Sequence, residues 1–203
     1  MTTRTMYDST TPADIPANAE IVALYPHAWN GDFSKFPHAL QVHIDNTGAH
    51  ADDCHVLDVE SGAATVAIAH EWVQSWHLLH PNGLAAVNGH FGRPTLYYSQ
   101  SLDSGVRSAL SGLAYDVWEA HWDGVADGIA GAVGKQYANP KLDGHDYDMS
   151  DITDDTWGVE TIAPVPAPVT RLAGCLIPYA AGGIVQWHQS REVYSADDGV
   201  NWK

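Results

Sequence analysis

Positive charge is scarce in this chain: 9 Lys and Arg stand against 25 Asp and Glu among 203 residues, for a formal charge of −16. Phosphate backbones and anionic lipid surfaces recruit Lys and Arg, so nucleic acid and membrane are not expected partners. Cysteine is equally sparse. Cys54 and Cys175 make no disulfide framework and are expected to be free buried thiols. No apolar run reaches the ~20 residues that cross a bilayer. The opening residues 1–7 lack the apolar stretch of a signal peptide, so the expectation is a protein made in the cytoplasm and released, if at all, by lysis or on a particle. The chain is nevertheless 45% hydrophobic, which is the composition of a globular protein rather than a disordered one.

Short apolar segments alternate with loops. Strands are expected at residues 6–8, 21–25, 40–44, 55–60, 95–99, 115–122, 133–137 and 146–152. Residues 65–79 have helical spacing, with Val66, Ala69, Val73, Trp76 and Leu79 on one stripe, and Pro81-Asn82-Gly83 ends the run. A stub of helix is expected at 14–19 and a short helix at 104–113. Eight strands joined by crossovers predict a parallel α/β barrel of the (β/α)8 TIM type with reduced helices over residues 1–153. A stiff Pro-rich linker follows at 154–170. Residues 171–203 read as a small antiparallel β element, with strands at 172–179, 184–188 and 191–195, that docks or oligomerises. Its end, residues 195–202, matches S-x-D-x-G-x-x-W and is read as a β-turn.

The segment with chemical content is Leu57-Asp58-Val59-Glu60. On a strand, residues two apart share a face about 6.6 Å apart, so Asp58 and Glu60 project together. Crowded acids push one pKa upward, leaving a proton donor beside a carboxylate that stays charged. A solvated strand end or a divalent-cation site accounts for D-x-E equally well. Asp8 closes the first strand and Asp148 lies in the eighth; in a closed barrel these two strands are neighbours, so four acids are expected at one mouth. Tyr97, Trp118, Trp122 and Tyr137 are candidate platforms for sugar C–H faces, whereas Trp72 and Trp76 belong to the core. His77 with His80, and His50, Asp52, Cys54 and His55, are two histidine-containing clusters without a complete ligand frame. No metal and no cofactor are expected.

The order of these motifs resembles glycoside hydrolase family 25, the lysozyme-type barrels, and resembles most the short glycoside-hydrolase-like barrels of actinobacteria and their phages. Tyr7-Asp8-Ser9-Thr10-Thr11-Pro12 is similar to the opening aspartate motif and Leu57-Asp58-Val59-Glu60 to the central acid pair. Val117-Trp118-Glu119-Ala120-His121-Trp122 resembles the sixth-strand motif, Lys135-Gln136-Tyr137 a W-Q-Y strand, and Tyr147-Asp148-Met149-Ser150 the closing aspartate. The resemblance implies hydrolysis of the β-1,4 bond after N-acetylmuramic acid in peptidoglycan, on or off a phage particle. By that analogy Glu60 is the general acid. Asp58 stabilises positive charge or orients an attacking N-acetyl group, and Asp8 and Asp148 hold the sugar. Partners would be the cell-wall glycan and, through residues 171–203, other virion proteins. Lys135 stands where the family has Trp and is expected to pair with an acid in the mouth; Glu119 replaces an apolar residue. The alternatives are a non-catalytic minor tail or decoration protein and a glycan-binding module, both on a degenerate barrel.

Overall fold

A computed structural model describes residues 3–29, 31–139 and 144–159. The chain divides into two compact units, Met1–Pro164 and Val165–Lys203. The expected tail strands and turn, and all but residues 154–159 of the expected linker, lie outside the described residues.

The first unit is a closed barrel of eight strands. In chain order they are β1 (Arg4–Asp8), β2 (Ile21–Leu24), β3 (Leu40–Asp45), β4 (Val56–Val59), β7 (Thr95–Ser99), β8 (Asp116–Ala120), β9 (Gly134–Ala138) and β10 (Asp148–Ile152). A hairpin of β5 (Leu84–Ala86) and β6 (Gly89–Phe91) is inserted between β4 and β7. The described residues contain two α-helices, α1 (Val66–Leu79) and α2 (Asp103–Ala109). None of the described helices is long and apolar enough to cross a membrane.

This architecture corrects the (β/α)8 expectation. The eight strands are found, but the barrel is mixed. β1, β2, β3, β4, β7, β8 and β9 are parallel in succession, whereas β10 is antiparallel to both β9 and β1. Residues 139–147 form the shortest segment between successive barrel strands, but the link between the parallel β3 and β4, residues 46–55, is only one residue longer, so length alone does not set the reversal.

Helices also fail to cover most of the wall. Outside β2, Val22 and Leu24 are buried by Ile15, Ala19, Phe36 and Ala39, which sit in the segments flanking that strand. A one-turn 3-10 helix (Pro12–Asp14) stands where a helical stub was expected at 14–19. Apolar loop residues thus do the covering that a crossover helix would do.

Where α1 is present, it is amphipathic for a clear reason. Thr65 caps it, its side chain accepting the Ile68 N–H, and Ala69, Trp72, Val73 and Trp76 turn inward. Both indoles are satisfied: Trp72 Nε1 donates to Asp45 Oδ2 at 3.0 Å and Trp76 Nε1 to the Cys54 carbonyl at 3.1 Å. The stripe stops there, since Leu79 is 55% exposed.

Strand register fixes the lumen. Met6 pairs with Ile21, Asp58 with Tyr97, Tyr97 with Trp118 and Trp118 with Gly134, and directly opposed residues share a face. Gly134 has a purpose: a Cβ there would lie 2.6 Å from Ile152 Cδ1 and 3.4 Å from Trp118 Cδ1. The missing side chain makes room for the buried indole. Beyond β10, Trp157 remains packed on the barrel, its Nε1 donating to Thr95 Oγ1 at 2.9 Å.

Candidate active site

The parallel strands end on one side of the barrel, and the polar lumen residues collect there. Asp8 is the last residue of β1, and its register partner is Asp148, the first residue of the reversed β10. Gln136 of β9 bridges them. Its Nε2 lies 3.1 and 3.2 Å from the two Asp8 oxygens and 3.4 Å from Asp148 Oδ2. Gln136 Oε1 in turn accepts the Tyr97 hydroxyl at 2.6 Å. Across the mouth, Tyr25 donates its hydroxyl to Asp58 Oδ2 at 3.3 Å. Asp58 Oδ1 is buried and has no hydrogen-bond partner among the described residues. Glu60 follows the end of β4 and is exposed.

The four acids form one electrostatic group. Burial raises the Tyr97 phenol, and the charges of Asp8, Glu60, Asp58 and Asp148 raise it further. Tyr97 and Tyr25 therefore remain neutral hydrogen-bond donors. Burial lifts the Asp8 carboxyl well above its ordinary value. Asp148 adds to the rise, and the Gln136 hydrogen bond opposes it without winning. Asp58 is pushed up to about 7, by burial first and by the Glu60 charge second. Burial also raises Glu60. The arrangement keeps a proton on a carboxyl at mildly acid to neutral pH, the condition for acid catalysis.

These shifts have a consequence for stability. An unfolded Asp loses its proton near pH 3.9. Between about pH 4 and 7 the folded state holds one proton more at Asp58, so this group's stabilisation is lost as pH rises through 7. His55 acts in the opposite sense. Burial first and His43 second lower it to about 3, so stability is lost as pH falls from about 6.5 toward 3. Because the two slopes overlap, the informative quantity is a difference between variants. Relative to the wild type, Asp58→Asn is expected to gain about 3 kcal/mol between pH 4.5 and pH 8. Urea denaturation at both pH values reads this; a difference independent of pH contradicts it.

Of the expected platforms, Tyr97 belongs to the mouth network. Trp118 is 1% exposed, 4.5 Å from the Tyr97 ring between centroids, with Nε1 donating to Ser150 Oγ at 2.9 Å; it supports Tyr97 from within the wall. Trp122 is 50% exposed just past β8. Tyr137 alternates with Gln136 and so faces out of the lumen, where its phenol senses Asp151 and Tyr7. Lys135 corrects the expectation of a cation in the mouth. It too faces outward, binding Asp123 at 2.8 Å and Asp127 at 2.5 Å, so it anchors the loop after β8. Glu119, its register partner, lies on the same outer face.

Gln136 and Tyr25 went unrecognised in the sequence, although Gln136 lies inside the quoted Lys135-Gln136-Tyr137 motif. Of the two histidine-containing clusters, His77, His80, His55 and Cys54 have structural roles. His55 Nδ1 accepts the His43 N–H at 2.9 Å, and Cys54 is buried beside it. His77 and His80 bond to the carbonyls of Ala114 and Ala51. A cavity of about 420 Å³, lined by Arg93, Arg107, Asp116 and Asp154 among others, opens at the N-terminal ends of β8 and β9, away from the acids.

No family model, curated protein or solved structure matches this chain.

Proposed function

We propose that the barrel hydrolyses a glycosidic bond in a bacterial cell-wall glycan by acid catalysis. Glu60 is the donor to the departing oxygen, because it alone among the four acids is exposed. Asp58, protonated below about pH 7, sits behind it with one oxygen held by Tyr25. In that form it orients an attacking N-acetyl group; only after losing the proton does it stabilise positive charge at the anomeric carbon. Asp8, Asp148 and Gln136 hold sugar hydroxyls, and the exposed Trp122 offers a stacking face at the rim. The observation that carries this reading is the placement of Asp8, Asp148 and Asp58 on the lumen face at strand ends, joined through Gln136 and Tyr97, with Glu60 two residues beyond Asp58. The motif order that resembles family 25 supplies the substrate class.

The test is direct. The full chain is incubated with Gram-positive, including actinobacterial, peptidoglycan, and new reducing ends are counted and identified by mass spectrometry. Release of muropeptides with N-acetylmuramic acid at the reducing end is the expected result, and no release from any of these substrates rejects the proposal. One observation favours a second reading, a glycan-binding barrel without turnover: Asp8 and Asp58 are only 5% and 2% exposed. Pull-down on the same peptidoglycan without release of ends identifies that case.

A further inference from the structure

Away from the lumen, the segments after β2 and β3 bring together two imidazoles and a carboxylate. One ligand atom each from His27, His50 and Asp53 lies within 4.8 Å of the others. His27 Nε2 is 2.9 Å from both Asp53 oxygens. The rings of His27 and His50 stack at 3.7 Å with 5° between their planes. We propose that these three residues bind a borderline divalent transition-metal ion of the Zn²⁺ class.

The donor set selects the class. Two imidazole nitrogens and one carboxylate oxygen suit Zn²⁺ and its neighbours, whereas Ca²⁺ and Mg²⁺ take oxygen shells. Ligands about 2.0–2.1 Å from a tetrahedral ion lie roughly 3.3 Å apart, so the His27–Asp53 pair opens slightly from 2.9 Å and His50 closes in from within 4.8 Å. An ordinary ion pair between His27 and Asp53 explains two of the residues. It does not use the second imidazole, which lies against the first with a ring nitrogen near the same carboxylate. A shared cation engages all three groups, with His50 tilting from its stack so that its lone pair points at the ion. Three protein ligands leave a fourth position for water.

The backbone behind the ligands is already fixed. The His50 N–H donates to Asp45 Oδ2 at 2.7 Å. The other Asp45 oxygen takes the N–H groups of Thr47 and Gly48 and the Thr47 hydroxyl, so this loop is wound around one carboxylate. The Asp53 carbonyl lies 3.2 Å from His43 Nδ1. Such supporting contacts orient metal ligands in established sites. The site also reaches the mouth. His27 is two residues past Tyr25, and Trp29 packs edge-on against Tyr25 at 4.8 Å. A bound ion therefore ties the segment carrying Tyr25 and Trp29 to the loop after β3.

The experiment uses the full chain stripped with chelator, titrated with Zn²⁺ by calorimetry at pH 7.5, with Co²⁺ absorption as a second readout. One equivalent is expected to bind, and His27→Ala, His50→Ala and Asp53→Ala are each expected to weaken it by at least about 10-fold. Asp52→Ala, a neighbour outside the triad, is expected to bind as the wild type does. Should His50→Ala lower the melting temperature of the metal-free protein, His50→Gln takes its place. The visible Co²⁺ bands of an imidazole-bound, low-coordinate ion are expected in the wild type and not in the His50 variant. No binding at millimolar Zn²⁺, or affinity unchanged by any one of the three removals, overturns the proposal. Because binding is read without glycan, the result is independent of whether the barrel cleaves one.

Discussion

Glu60→Gln is expected to lower the rate of glycan cleavage by roughly 10²–10⁴-fold, with glycan binding nearly unchanged. The substitution keeps the size and one oxygen of the side chain and removes the proton that the leaving group needs. No neighbour replaces it. Asp58 carries a proton at neutral pH, but it is 2% exposed and its reachable oxygen is held by Tyr25. Asp8 is 5% exposed and hydrogen-bonded by Gln136. Initial rates of reducing-end release, measured over a range of substrate concentrations, separate the two effects: kcat falls and KM stays. Equal rates in the wild type and the variant remove Glu60 from the chemistry.

The largest expected loss of stability is at Trp72. Trp72→Ala is expected to destabilise the fold by about 3–5 kcal/mol, as removal of a large buried side chain leaves both a lost transfer term and a cavity. The ring is 1% exposed and packs α1 against the barrel. Its Nε1 also reaches Asp45, whose carboxyl stays below its ordinary range. Burial alone would raise that carboxyl, but the hydrogen bonds from His50, Thr47 and Gly48 outweigh it. Trp72→Phe keeps most of the packing and removes one donor, so a loss of about 1–2 kcal/mol is expected. Urea midpoints at pH 7 compare the two. An alanine variant within 1 kcal/mol of the wild type contradicts the reading of this ring as an anchor of α1 on the barrel.

Barrel strands such as Ile21–Leu24 and Val56–Val59 were legible as short apolar or β-branched segments, and α1 because its apolar spacing matches a helical turn. Strand direction was not legible. The strand-like pattern at Asp148–Ile152 fits either sense, and the link before it is nearly as long as the one between the parallel β3 and β4. The inserted hairpin was missed although Asn88-Gly89 is a turn signal; Asn88 has a φ of 62° there. At the mouth, Asp8, Asp58, Glu60 and Asp148 were readable from their positions at strand ends. Lys135 misled because alternation moves neighbouring residues to opposite faces, so Gln136 takes the lumen and Lys135 the outside. His50 and Asp53 share the loop after β3, but His27 comes from the segment after β2, and nothing in the spacing announces that it meets them.

The reversed last strand has a topological consequence. In an all-parallel barrel the first strand would begin at one rim and the last would finish at the other. Here Arg4 is the register partner of Ile152, so both ends of the barrel segment arrive at one point. A short engineered peptide joining them, with new termini cut into the solvent-facing stretch between Asp123 and Gly131, yields a circular permutant whose lumen acids keep their covalent neighbours.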